Sequence, residues 1–223
     1  TEGVEPELLI NPDPPEDPDD PYSDVYPAWS YEMNYYADGM VGGIIRFEID
    51  NTALVVWSLV AHAGYLTDDA ARRTYLETAW PVIQNATYLL ARWRDADTGL
   101  QAAASEDDNV NYTQTLHGAV AVYAALANAA RAARALGGSE RLADARRWEA
   151  RAFELKQAAL THFYDTETGR FLEGLEQSIN PQNPKAGPSS WIVWPARMLP
   201  FDDERLVPHV RANLAQALSQ LDP

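Results

Sequence analysis

The feature that most limits the fold of this chain is the spacing of its helical segments. From Asp50 onward the sequence is helical, and the joins between segments alternate between very short and very long. Asp50 is placed to cap a helix running to about Tyr65. Thr67, Asp68 and Asp69 open a second helix to about Arg94, with a bend expected at Pro81. An Ala-rich helix from Thr113 to Leu136 carries Leu116, Val120, Tyr123 and Leu126 and stops at Gly137-Gly138. Ser139 is placed to cap the next, through about Phe163, and two more are expected over 190–199 and 203–221. The joins 66–67, 137–139 and 200–202 are short, whereas 95–112 and 164–189 are long. That alternation predicts helical hairpins with tight turns at one end and elaborated loops at the other. Apolar residues on more than one side of several helices suggest burial between neighbours. The expected class is therefore all-α, as part of a double-layered ring of helical hairpins. A plain bundle or a helical-repeat solenoid fits the periodicity as well.

Residues 1–27 differ in kind. Asn11-Pro12-Asp13-Pro14-Pro15-Glu16-Asp17-Pro18-Asp19-Asp20-Pro21 has no periodicity, and its prolines oppose both helix and inner strand. An acidic extended segment over 1–27 and a partial helical ring over 28–223 is the expected division. Between them, residues 28–49 are rich in aromatic residues and glycine, with Trp29, Tyr31, Tyr35 and Tyr36, and read as a long ordered loop.

Composition narrows function. The net charge of −16 repels polyanions, which disfavours nucleic acid and anionic membrane surfaces as partners. No apolar run approaches the roughly 18 residues of a membrane span. With no cysteine, thiol catalysis is excluded. The four histidines, His62, His117, His162 and His209, are not at metal-ligand spacing and are expected to be structural. No P-loop, dinucleotide fingerprint, nucleophile elbow or zinc signature occurs, so neither cofactor nor metal is expected. Two glycosylation sequons, at Asn85 and Asn111, suit an extracellular or cell-surface setting and leave the cytoplasm open.

The long loops hold the candidate chemistry. Asp95 to Thr113 leaves one helix and enters another, and carries the adjacent carboxylates Glu106, Asp107 and Asp108. Three such acids repel one another, and burial would raise one toward the range of a general acid. The same carboxylates equally suit capping and the helix dipole. The second loop, from Gly169 to Ser189, holds Glu173, Glu176, Asn180 and Asn183, which can bond sugar hydroxyls or simply build turns. Pyranose rings stack on indole and phenol, so Trp29, Tyr35, Tyr36 and Trp191 are candidate platforms, whereas Trp57, Trp80 and Trp148 are expected in the core.

Three stretches together resemble the glucoamylase-type glycoside hydrolases. They are Asp97-Thr98-Gly99-Leu100 followed by Ser105-Glu106-Asp107 and Tyr112-Thr113, then Arg46-Phe47-Glu48-Ile49-Asp50, then Ser189-Ser190-Trp191 to Asp202-Asp203. The match covers about residues 45–215 in the family's order. It implies about three hairpins from the middle of a six-hairpin α/α toroid, with Arg46, Glu48, Asp50, Glu173 and Trp191 near the substrate. It also implies that the rest of the ring, including the general base, comes from a companion polypeptide or processed fragment. This loop departs from the family's W-E-E stretch, leaving Glu106, Asp107 and Asp108 as alternatives for the acid. The implied activity is hydrolysis of oligo- or polysaccharide with inversion, by two carboxylates about 6.5–9.5 Å apart. Two other readings stand beside it. One is a non-catalytic carbohydrate-binding or structural toroid of a secreted or surface protein. The other is a polysaccharide lyase using Asn111, Tyr112 and His117.

Overall fold

A computed structural model describes residues 32–35, 41–45, 49–106, 109–175 and 191–219. The expected boundary at 27/28 lies outside them. The chain divides into two units, residues 1–48 and 49–223. In the first, strands β1 (Glu32–Tyr35) and β2 (Val41–Ile45) pair antiparallel, with a register shift between Met33 and Asn34.

The second unit is mainly helical. Its helices are α1 (Ile49–Tyr65), α2 (Asp69–Arg92), α3 (Leu116–Leu136), α4 (Ser139–Phe163) and α5 (Leu206–Ser219). Antiparallel strand pairs stand in the long joins: β3 (Ala104–Glu106) with β4 (Asn109–Thr113), and β5 (Tyr164–Asp165) with β6 (Arg170–Phe171).

The helices start and stop where local chemistry satisfies their end groups. Asp68 caps α2 by accepting from the Ala71 amide, and Thr115 caps α3 by accepting from Gly118. Gly137, at φ 73°, ends α3 in a backbone conformation that side-chain-bearing residues disfavour. α2 and α4 bury residues spaced by three and four. These are Leu76, Trp80, Ile83, Thr87 and Leu90 on α2, and Ala145, Trp148, Ala152, Leu155, Ala159 and Phe163 on α4. α3 is buried on nearly every side, and its alanines let neighbouring backbones approach closely. α1, α2 and α4 all pack against it. The first turns of α1 and α3 meet and the two pack along their lengths, so they run parallel. α2 and α4 touch at few points.

Several expectations need correction. Asp50 is not the cap of α1 but its second residue, with the carboxylate turned to α3. Ser139 is the first residue of α4; Gly138 holds the cap position and makes no side-chain cap bond. Thr113 belongs to β4, so α3 begins three residues later than its composition suggests. Residues 191–199 are not a helix but a short 3₁₀ turn and further tight turns, because Pro195 has no N–H to give and Arg197 takes φ 53°. The loops at 95–112 and 164–189 are partly strand pairs, which let their backbone groups bond each other. Among the described residues no helix is long and apolar enough to cross a membrane.

Candidate functional site

The parallel course of α1 and α3 brings the N-terminal ends of both to one rim. Described parts of both long joins, Gln101 and residues 173–175, bond to the start of α3 there. His117 Nε2 lies 3.1 Å from Asp50 Oδ2, pairing the second residue of α1 with the second of α3. The ring edge of Trp191 stands against the imidazole, with centroids 4.8 Å apart at 73°. The starts of α1 and α3 and the 191–199 turns thus meet in one cluster. Asp50 is buried at 4% exposure, and its Oδ1 has no hydrogen-bond partner among the described residues. A buried carboxylate oxygen left in that state is costly, so its place beside two helix N-termini offsets part of the expense.

Segment 173–175 closes over the same end. Leu116 N–H donates to Glu173 O at 2.9 Å, Leu175 N–H donates to Gln114 O at 3.1 Å, and Gly174 bridges Thr115. The Glu173 carbonyl thereby satisfies a donor of the first turn of α3 that the helix itself leaves open. Burial of the Glu173 carboxyl raises its pKa above the ordinary value, opposed by the charge of Arg170.

The rim rests on a turn that occurs twice. In Asp95-Ala96-Asp97-Thr98-Gly99, Asp95 Oδ1 accepts from the Asp97 and Thr98 amides and the Thr98 hydroxyl, and Gly99 N–H donates to Asp95 O. In Asp165-Thr166-Glu167-Thr168-Gly169, the Asp165 carboxylate accepts from the Glu167 amide and the Thr168 hydroxyl, and Gly169 N–H donates to Asp165 O. Both glycines have positive φ, 74° and 67°. These bonds hold both aspartates below the usual carboxylate range. Each turn follows the end of a helix, α2 or α4. Their shared D-x-[D/E]-T-G spelling could have revealed the repeated turn in the sequence.

Around the first turn, Arg151 Nη1 and Nη2 donate to Gly99 O and Leu100 O at 2.8 and 3.0 Å. Gln114 Nε2 donates to Thr98 Oγ1 and Gln101 O, Gln101 Nε2 donates to Thr115 O, and His162 Nε2 lies 3.1 Å from Thr98 O. Asp97-Thr98-Gly99-Leu100, part of the glucoamylase-like resemblance, is thus a scaffold for the rim.

The other candidates fall as follows. Trp29, Tyr36, Arg46, Glu48, Asp107 and Asp108 lie outside the described residues. Tyr35, Glu106 and Asn111 are in β1, β3 and β4, with their side chains outside the description. Asn85 is exposed on α2, while Thr87 of its sequon is fully buried and donates its hydroxyl to Ile83 O. Trp191 is half-buried against His117; the exposed indole of its neighbourhood is Trp194, with the Arg197 guanidinium 5.2 Å from its ring. Trp80 and Trp148 are core residues and Trp57 is half-buried. His209 is also core, its Nδ1 accepting from the Phe171 amide. Sequence reading placed Asp50 near substrate but missed its partner, because 67 residues separate the two. No family model matches the chain, and no curated protein matches it.

Proposed function

We propose that the chain is about three hairpins of a helical-hairpin toroid whose rim binds carbohydrate, and that with the ring completed it hydrolyses glycosidic bonds as glucoamylase-type enzymes do. The observation that supports this reading is the convergence of Asp50, His117 and Trp191 at the end where segment 173–175, with Glu173, bonds to the start of α3. Carboxylates, an imidazole and an indole at one rim suit hydrogen bonds to hydroxyls and stacking on a pyranose face. A companion segment is supported by α5, whose Val207, Val210, Leu214 and Leu218 form an apolar stripe each about half exposed. The native particle, incubated with an oligosaccharide panel and assayed for released reducing ends, tests the reading. Turnover reduced by Glu106→Gln or Glu173→Gln is expected, and absence of both binding and turnover would overturn it.

A second reading, a non-catalytic carbohydrate-binding toroid, is favoured by the burial of Asp50 against His117, which keeps that carboxylate from presenting both oxygens to a substrate. Sugar affinity without turnover, unchanged by Glu106→Gln, would select it.

A further inference from the structure

Neighbouring helices in one layer ordinarily close on each other with apolar side chains. α2 and α4 do not. Between them lies a cavity of about 480 Å³, walled by Gln84 and Tyr88 of α2 and by Ser139, Glu140, Asp144 and Arg147 of α4. At its floor is Asp144, a carboxylate whose side chain is 5% exposed. Gln84 Nε2 donates to Asp144 Oδ2 at 2.9 Å, and the Tyr88 hydroxyl lies 3.5 Å from Oδ1. Arg147 Nη1 donates to the Tyr88 oxygen at 2.8 Å and stands 3.6 Å from Oδ1. Below, Tyr88 meets Trp148 edge-on and Trp148 packs on Trp80, so the floor is rigid. A buried carboxylate facing an open polar cavity costs stability that an apolar pair would not.

We propose that this α2–α4 cavity is a binding site for an uncharged polyhydroxylated ring, a single pyranose residue. Its lining alternates acceptors, the carboxylates of Glu140 and Asp144 and the Gln84 carbonyl, with the guanidinium donors of Arg147. Adjacent ring hydroxyls present that same alternation, each both donating and accepting. Arg147, 3.6 Å from Asp144, offsets one of the two lining carboxylates and leaves the lining with a single net negative charge. Two carboxylates, with no group of three metal-ligating side chains among the described residues, disfavour a metal ion. The volume lies within the range of small-molecule sites and admits one sugar ring. The site is formed by the bodies of α2 and α4 and does not depend on the chemistry of the rim.

Titration of the full chain with methyl α-D-glucopyranoside, followed by amide chemical shifts, tests it. Saturable shifts at residues 84–88 and 139–147, separate from any at the rim, are expected. Glu140→Gln, at the exposed lip where folding is not at stake, and Asp144→Asn should each weaken binding about tenfold. Glu173→Gln at the rim should leave these shifts unchanged. Shifts that are absent, that appear only at the rim, or that ignore both Glu140→Gln and Asp144→Asn overturn the proposal. So does a response to ethylammonium in place of the glucoside.

Discussion

Replacing Arg151 by Met removes the clamp on the first rim turn and leaves the methylene stem in place. Arg151 is 6% exposed and gives two charge-assisted hydrogen bonds, to Gly99 O and Leu100 O. Bonds of that kind contribute about 1.5–3 kcal/mol each, so the gross loss is about 3–6 kcal/mol. Against it stands the desolvation of the guanidinium. Burial, with the nearby charge of Arg94, pushes its pKa down to about 10, and Nε has no partner among the described residues. Glu154, at 4.0 Å and half exposed, compensates weakly. Relief of that cost returns part of the loss, leaving a net destabilisation of about 2–3 kcal/mol. Urea unfolding followed by tryptophan fluorescence measures it as a lower midpoint at unchanged slope. Arg151→Lys should recover little, since an ammonium cannot fork between two adjacent carbonyls. A Met variant within about 0.5 kcal/mol of wild type would refute the clamp, since that is the range of ordinary surface changes.

Three further outcomes follow from the same geometry. Gly99→Ala and Gly169→Ala should each cost about 1–2 kcal/mol in the same unfolding assay, because positive φ strains a side-chain-bearing residue while the nearest atoms, of Ala158 and Pro208, lie at an ordinary 3.5 Å. His209 is held below its ordinary pKa of 6.5 by burial and then by Arg170. The unfolded chain therefore takes the proton first, and stability, complete above about pH 6.5, falls as pH drops from there toward the folded pKa. His209→Gln should flatten that part of the stability–pH curve. The Glu173 carboxyl is raised by burial from 4.5, so its ionised form weakens the fold at neutral pH. Glu173→Gln should raise the thermal midpoint at pH 7 and lose that advantage below about pH 4.5 while weakening binding of sugar at the rim.

Much of the fold was legible because it is local. The spacing of Leu76, Trp80 and Ile83, the Gly137-Gly138 stop and Asp68 at the head of α2 each act within a few residues. The helix expected over 190–199 failed on Pro195 and the left-handed Arg197, where local rules override apolar content. Strands β3 and β4 went unread because each is short and its partner, not its own propensity, creates it. The site was legible as residue types and not as contacts. Asp50 and His117 meet because two helices pack in parallel, and Asp144 meets Gln84 across 60 residues of chain. Asp95 and Asp165 spell the same turn, yet only the matching hydrogen bonds reveal one scaffold used twice.

The account depends most on the starts of α1 and α3 meeting at one rim. A double-mutant cycle on Asp50→Asn and His117→Gln, read by urea unfolding, tests that directly. A buried pair 3.1 Å apart predicts a coupling energy of about 1–3 kcal/mol, with the double variant more stable than the two single losses sum to. Additive losses, with coupling below about 0.3 kcal/mol, would mean the two residues do not touch and that the rim is not assembled in this way.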